Sequence, residues 1–231
     1  MENIDINEMI SRFLKIASAT IYDVLDYMGL PNQCMSLGIK PIKYGMHVAG
    51  PALTIRGNRE PRYKDEYLEA FPKFRDFGTF RAVYPGCTVV INAEKDQVCG
   101  HWGEMMSYSA KQLGATGVVI DGGSRDLEGL LAIPDWPVFL RYTTPIESEK
   151  RWRAEDINVP IYVTGSLTTV IRVNPGDWIV GDSDGVMVIP KELALEVLFK
   201  AEEVEIREEG TRRELAAGVP IKRVFEKYKR M

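Results

Sequence analysis

Two short β-branched runs, Cys87-Thr88-Val89-Val90-Ile91 and Val118-Val119-Ile120, flank one helix-patterned segment, and this arrangement narrows the fold more than any other stretch. Each run has the length and composition of a strand buried on both faces. Between them Met105, Met106, Ser109, Ala110 and Leu113 recur at helical spacing, and Gly114 stands where a helix C-terminus favours glycine. Strand, helix and strand in this order predict a βαβ unit in an α/β sheet. The helix start Gly103-Glu104-Met105-Met106 and the turn Gly122-Gly123-Ser124-Arg125-Asp126 then share one edge of that sheet. Open α/β sheets hold their ligands at that edge.

The residue types there have a common chemistry. Free N–H groups at the helix start can face an anion, and Arg125 suits a planar carboxylate. The Asp126 oxygens suit a hard divalent cation. Each feature alone also has a plain reading. An Arg-Asp pair after a strand is commonly a solvated ion pair, and Glu104 is also a first-turn acid beside the helix dipole. Their coincidence at a ligand-holding edge is what marks a candidate site.

Around this unit, residues 6–29 carry helical stripes ended by Gly29, with Ser18 or Thr20 as candidate caps of the second helix and Asp23 in its first turn. His47-Val48-Ala49 and Ala52-Leu53-Thr54-Ile55 read as two short strands separated by Gly50-Pro51. The aromatic, charged segment 58–78, with Tyr63, Tyr67, Phe71, Phe74 and Phe77, reads as a packed amphipathic helix or as a lid or subunit contact. Pro137 to Arg141 predicts a further strand, while Arg151-Trp152-Arg153 reads as a snorkelling surface patch, with contact to an anionic ligand or another subunit as the alternative. Four strand runs between 160 and 189 follow, joined by Asn174-Pro175-Gly176-Asp177 and Asp182-Ser183-Asp184-Gly185. The second of these reads as a hairpin turn rather than a calcium loop. A helical region from about 191 to 209 and a last helix over 219–228 close a chain read as one domain.

Composition excludes several classes. A net charge of −4 disfavours a general nucleic-acid binder. Three cysteines without close pairing predict reduced thiols, and two histidines cannot build a histidine-rich zinc site. With no transmembrane-length run and no signal pattern at Met1-Glu2-Asn3, a cytoplasmic protein is expected, with neither membrane nor nucleic acid as partner. No P-loop, GxSxG, HExxH or GxGxxG is present. Lys111 reads as a surface residue rather than a Schiff-base nucleophile.

At these residues the chain resembles the RraA-like family, which includes 4-hydroxy-4-methyl-2-oxoglutarate and 4-carboxy-4-hydroxy-2-oxoadipate aldolases. The family pattern of an acid, twenty residues and Arg-Asp is met by Glu104, residues 105–124 and Arg125-Asp126. The likeness extends to Ala19-Thr20-Ile21-Tyr22-Asp23-Val24-Leu25-Asp26, Val48-Ala49-Gly50-Pro51-Ala52-Leu53-Thr54 and Gly181-Asp182-Ser183-Asp184-Gly185-Val186. It implies an α/β fold of the swivelling β/β/α type, assembled as a homotrimer or a hexamer with sites between subunits. It also implies substrate binding by Gly103, Glu104, Met105, Met106 and Arg125, and a divalent cation, magnesium or another such as manganese, on Asp126. Glu104 would position a water, and a neighbouring subunit would lend a glutamate, for which Glu202 and Glu203 are candidates. The implied activity is retro-aldol release of pyruvate, with oxaloacetate decarboxylation at the same site. The aldolases often carry an acid three residues after the Asp, where this chain has Gly129, with Glu128 one position earlier. Two alternatives stand beside that activity: a non-catalytic regulator binding ribonuclease E, and another lyase such as a sugar-acid dehydratase. A phosphohistidine carrier would need a reactive histidine, and His101 reads instead as a hydrogen-bonded structural residue.

Overall fold

The computed structural model describes residues 4–228, apart from the side chains at positions 76 and 77, so Met1-Glu2-Asn3 and the Phe77 ring lie outside the described residues. In chain order the helices are α1 (Ile6–Phe13), α2 (Ser18–Tyr27), α3 (Lys64–Ala70), α4 (Glu104–Gln112), α5 (Leu127–Ala132), α6 (Ala194–Ala216) and α7 (Ile221–Tyr228). The strands are β1 (Lys40–Pro41), β2 (Val48–Arg59), β3 (Thr88–Asn92), β4 (Gly100–Trp102), β5 (Gly117–Asp121), β6 (Gly123–Ser124) and β7 (Val138–Leu140). They continue as β8 (Tyr142–Thr143), β9 (Trp152–Ile157), β10 (Ile161–Thr164), β11 (Val170–Val173), β12 (Trp178–Gly181) and β13 (Val186–Ile189).

The main sheet has eight strands in the order β1-β7-β5-β3-β2-β12-β13, with β9 also on β2. Its centre is the predicted parallel unit: β2, β3, β5 and β7 pair in parallel, with Val89 opposite Val118. Alternation then separates the two faces. On one face Leu53, Ile55, Val89, Ile91, Val118 and Ile120 pack with Trp102, Ala110 and Leu130, so α4 and α5 cover it. On the other, Val90, Val119 and Phe139 meet Ile161, Val163, Ile171 and Val173 of the separate β10–β11 hairpin. Hairpin, sheet and helices are thus three layers. Helices α1, α2 and α6 pack on β12 and β13 through Phe13, Ile21, Leu25, Trp178 and Leu198.

Several expectations are corrected. The predicted break at Gly50-Pro51 is absent, and β2 runs unbroken for 12 residues. Ala52 donates to Asp177 on the β12 side, so the Pro51 nitrogen faces the other side, one residue before pairing with β3 begins at Ala52. The missing N–H therefore leaves no gap in a ladder. Neither Ser18 nor Thr20 caps α2, and Asp23 is not in its first turn: Ala17 holds the cap position, and Asp182 accepts from the Ser18 N–H and hydroxyl at 2.8 and 2.7 Å. Asp182 also closes the β12–β13 hairpin turn through the Asp184 N–H at 2.8 Å. Trp152 is not a surface residue. It opens β9 opposite Arg59 and is 4% exposed. The C-terminal helical region begins with the 3-10 turn Lys191–Leu193, and α6 runs past the expected end to Ala216. Segment 58–78 holds the predicted helix as α3, followed by the 3-10 helix Pro72–Phe77.

Candidate active site

Three of the four parallel strands, β3, β5 and β7, do not stop at the sheet edge. After a break each resumes, as β4, β6 and β8, in a second parallel sheet in the order β4-β6-β8. This small sheet is the platform of the candidate site. Its β4 strand leads directly into α4, whose first turn is pinned by the Trp102 indole N–H donating to the Ser107 hydroxyl at 2.8 Å. Its β6 strand leads into Arg125 and Asp126. The Arg125 N–H donates to the Trp102 carbonyl at 3.0 Å and the Ser124 hydroxyl to the same oxygen at 2.9 Å. The two loops are therefore locked side by side at one point.

Asp126 has φ +61° and ψ 47°, a left-handed conformation that Asp adopts more readily than most residues but still at a cost. This turn points its carboxylate at the start of α4. The Glu104 N–H lies 3.5 Å from Asp126 Oδ2, and a Cβ added at Gly103 would come within 2.9 Å of the same oxygen. Gly103 is thus the residue that lets carboxylate and helix start approach. The Arg125 side chain lies 4.0 Å from the Asp126 carboxylate and 3.7 Å from that of Glu147. On the far side, a Cβ at Gly129 would sit 2.4 Å from Oε2 of Glu104. The space where an aldolase-type acid would begin is occupied here by the Glu104 carboxylate itself.

Behind this open cluster lies a closed one, which the sequence reading missed apart from His101. Asp96, Cys99 and His101 each offer a ligand atom within 4.8 Å of the others, all three buried. Asp96 Oδ2 and both His101 ring nitrogens are already committed. Asp96 Oδ2 accepts from the Val98 and Cys99 N–H groups at 3.2 and 3.3 Å, the Cys99 thiol at 3.4 Å and His101 Nε2 at 3.0 Å. His101 Nδ1 accepts from the Gly123 N–H at 3.0 Å, which assigns the proton to Nε2. Burial lowers the His101 pKa against the pull of Asp96, so the ring is neutral. Burial also penalises the Asp96 carboxylate, but its hydrogen bonds outweigh that and hold it ionised. Burial and then Asp96 push the Cys99 thiol up to about 12. The only sequence sign was the close spacing of Asp96, Cys99 and His101.

The structure thus brings Gly103, Glu104, Arg125 and Asp126 together. The predicted apolar stripe on α4 is rotated: Ser107 and Ala110 are its buried residues, whereas Met105 is 65% exposed and Leu113 is also exposed. Met106 is half-buried against the core. Of the two glutamates considered for a neighbouring site, Glu202 is held by Arg12 at 2.6 Å, and Glu203 is exposed on α6. The donor set at Asp126 fits a hard divalent cation: its carboxylate is 43% exposed and no hydrogen bond from it or to it is shorter than the 3.5 Å contact with Glu104 among the described residues. A groove of about 840 Å³ lined by Lys43, His47 and Trp136 opens at the amino ends of β2, β5 and β7, the opposite edge.

Comparison with known proteins bears on this geometry. A family model described as Aldolase/RraA (RraA-like) matches residues 18–188. The chain belongs to the RraA-like family. The fold is accordingly RraA-like. A relative from Halalkalibacterium halodurans, named a putative 4-hydroxy-4-methyl-2-oxoglutarate aldolase, is 33% identical over 94% of this chain and 93% of its own length. Among RraA-like structures, Streptomyces coelicolor RraAS2, described as an unusual member of the RNase ES inhibitor RraA protein family, superposes with a TM-score of 0.72 at 28% identity. It covers 92% of this chain and 98% of its own. An uncharacterized protein from Pseudomonas syringae pv. tomato shares the fold with a TM-score of 0.78 at 24% identity, covering 97% and 99%.

Proposed function

We propose that this protein is a divalent-metal-dependent lyase acting on a 2-oxo acid, most directly by retro-aldol cleavage of 4-hydroxy-4-methyl-2-oxoglutarate-type substrates, with oxaloacetate decarboxylation at the same site. The observation that carries the reading is the convergence of the α4 start, Arg125 and a left-handed Asp126 at the carboxyl edge of the parallel strands. The aldolase name of the H. halodurans relative supports it.

In this reading Asp126 holds magnesium or a similar cation such as manganese, which supplies Lewis-acid stabilisation of negative charge on the 2-oxo group. Arg125 and the N–H groups of residues 104–106 bind and orient the substrate carboxylate. Glu104 positions a water for proton transfer. The C4 hydroxyl gives up its proton, the C3–C4 bond breaks with its electrons passing to C3, and C3 takes a proton. The products are two pyruvates. The exposed Met105, Tyr108 and Leu113 beside the site support an assembly, a trimer or hexamer, in which a second subunit covers this face, with Glu203, exposed and only loosely paired with Arg207 at 3.9 Å, as the candidate for a lent carboxylate. Free Cys34, Cys87 and Cys99 accord with a reducing cytoplasm.

The test is pyruvate release from 4-hydroxy-4-methyl-2-oxoglutarate and from oxaloacetate, with magnesium, with chelator, and in Asp126→Asn, since Asn tolerates the left-handed backbone. Turnover is expected to require metal and to fall by about 100-fold or more in the variant. Metal binding without turnover of either compound would redirect the reading to a different lyase, such as a sugar-acid dehydratase. Neither metal binding nor turnover, with capture of ribonuclease E, would establish the regulator instead.

A further inference from the structure

A second cavity, of about 380 Å³, is lined by Tyr67, Leu68, Phe74, Phe80, Met106 and Trp152 among others, and by none of Gly103, Glu104, Arg125 and Asp126. Two links join it to the site. Met106 lies in the first turn of α4, where Glu104 begins the helix. Ser148 lines the cavity, and its neighbour Glu147 contacts Arg125 at 3.7 Å. The cavity also opens at the carboxyl end of β2, where β9 begins, which is the ligand-holding edge.

Its wall is built rather than incidental. The indole of Trp152 lies over Gly57, where an added Cβ would come within 1.9 Å of the ring. The other face of that arrangement is His101, edge-on to the indole with ring centres 4.7 Å apart. On the opposite wall Tyr67 stacks on Phe74 at 5.7 Å, and the Tyr67 hydroxyl is tied to the Ala154 carbonyl at 2.5 Å. Arg153 brings a cation to this lining, its guanidinium 3.9 Å from Glu149 and over the Tyr67 ring at 5.7 Å. Lys64 adds a second cation to the lining. Aromatic and aliphatic walls with two cations at the rim together describe an acid with a bulky apolar substituent.

We propose that this cavity is the specificity subsite of the enzyme, and that the substrate is a 2-oxo dicarboxylic acid whose aldol carbon carries an aryl or branched alkyl group larger than methyl. The inference rests on the lyase reading for the 2-oxo end. The substituent enters between Leu68, Phe74, Phe80 and Met106, and the distal carboxylate meets Arg153 and Lys64.

Two measurements separate this subsite from the reaction. The first is calorimetric binding of benzylsuccinate and methylsuccinate, neither of which can be cleaved. Benzylsuccinate is expected to bind at least 10-fold more tightly, and Leu68→Trp, which fills the cavity from half-buried α3, is expected to erase the difference. Arg153→Met is expected to weaken both ligands together, and melting curves check that the variants are folded. The second is the cleavage of 4-benzyl-4-hydroxy-2-oxoglutarate to pyruvate and phenylpyruvate, against the 4-methyl compound. A KM at least 10-fold lower for the benzyl compound is expected in the parent and not in Leu68→Trp. Equal binding of the two succinates, or a preference that survives Leu68→Trp, overturns the subsite even if the methyl compound is cleaved. A preference that Leu68→Trp erases, with no metal-dependent cleavage of either oxo acid, leaves the subsite standing and removes the lyase.

Discussion

Two clusters of metal-ligand residue types lie one strand apart at the same sheet edge, and they differ in one respect. Asp96, Cys99 and His101 have the softer, more metal-like composition, yet Asp96 Oδ2, the Cys99 thiol proton and both His101 nitrogens are spent on one another and on the backbone N–H groups of Val98, Cys99 and Gly123. Asp126 and Glu104 have the plainer composition, but the Asp126 carboxylate faces solvent, a guanidinium and a helix start with no close bond among the described residues. Unspent bonding capacity, more than ligand identity, is what marks the open cluster as the candidate site. The closed cluster positions the open one: His101 bonds Gly123 of β6, and Trp102, its neighbour, anchors Arg125 and Ser107.

This contrast can be broken most forcefully by deleting one carboxylate from each cluster. Asp96→Ala strands three buried donors and is expected to cost roughly 3 kcal/mol, a fall in Tm of about 6–10 °C, with metal affinity retained. Asp126→Asn, which keeps the left-handed backbone, is expected to leave Tm within about 2 °C and to abolish metal binding measured by calorimetry. Metal affinity lost in Asp96→Ala at unchanged Tm would invert the assignment and make the buried triad the cation site.

The halves of this comparison were unequally legible. The open cluster could be read because βαβ topology dictates that residues after one strand and before the next helix share an edge, so Glu104 and Arg125-Asp126 had to meet. Gly114, at φ +90°, ends α4 as its position promised. The closed cluster was hidden because burial, not spacing, fixes what a histidine does, and burial depends on β9. That strand was missed because Trp152 sits between arginines that advertise solvent. The rotated face of α4 failed for a related reason: a polar residue, Ser107, takes the buried position since the Trp102 N–H needs an acceptor there. The continuity of β2 through Gly50-Pro51 depends on where its partners begin, which local sequence does not record.

A finer test of the open cluster uses Gly129. Gly129→Ala places a methyl where the Glu104 carboxylate now lies, and that flexible side chain must swing away. Turnover is expected to fall about 10-fold, equivalent to about 1.4 kcal/mol in the barrier, with Tm nearly unchanged. An unaltered rate would show that Glu104 has no role at its present position. The closed cluster has a matching test in pH. The His101 pKa is depressed by burial, so the unfolded chain binds the extra proton first as pH falls through about 6.5. Stability from this group is complete above that pH and is lost below it, by at most about 1.4 kcal/mol per pH unit. Asp96, also depressed, adds a second loss below about 3.9. His101→Gln should remove the first decline in Tm and keep the second, and a first decline that persists would place its origin elsewhere.

The smallest expected effect lies at the border between substrate and protein. Arg125 is within 3.7 Å of Glu147, an exposed carboxylate that competes with an incoming acid for the guanidinium. An exposed pair at this distance is worth well under 1 kcal/mol, so Glu147→Gln should lower KM for a 2-oxo acid by about 2–3-fold without changing kcat or Tm. The sign is the informative part. A lower KM means that Glu147 only occupies Arg125 until substrate arrives, as an open site requires. A raised KM would mean that Glu147 holds Arg125 in its binding pose, and the open cluster would then share the self-satisfied character of the closed one.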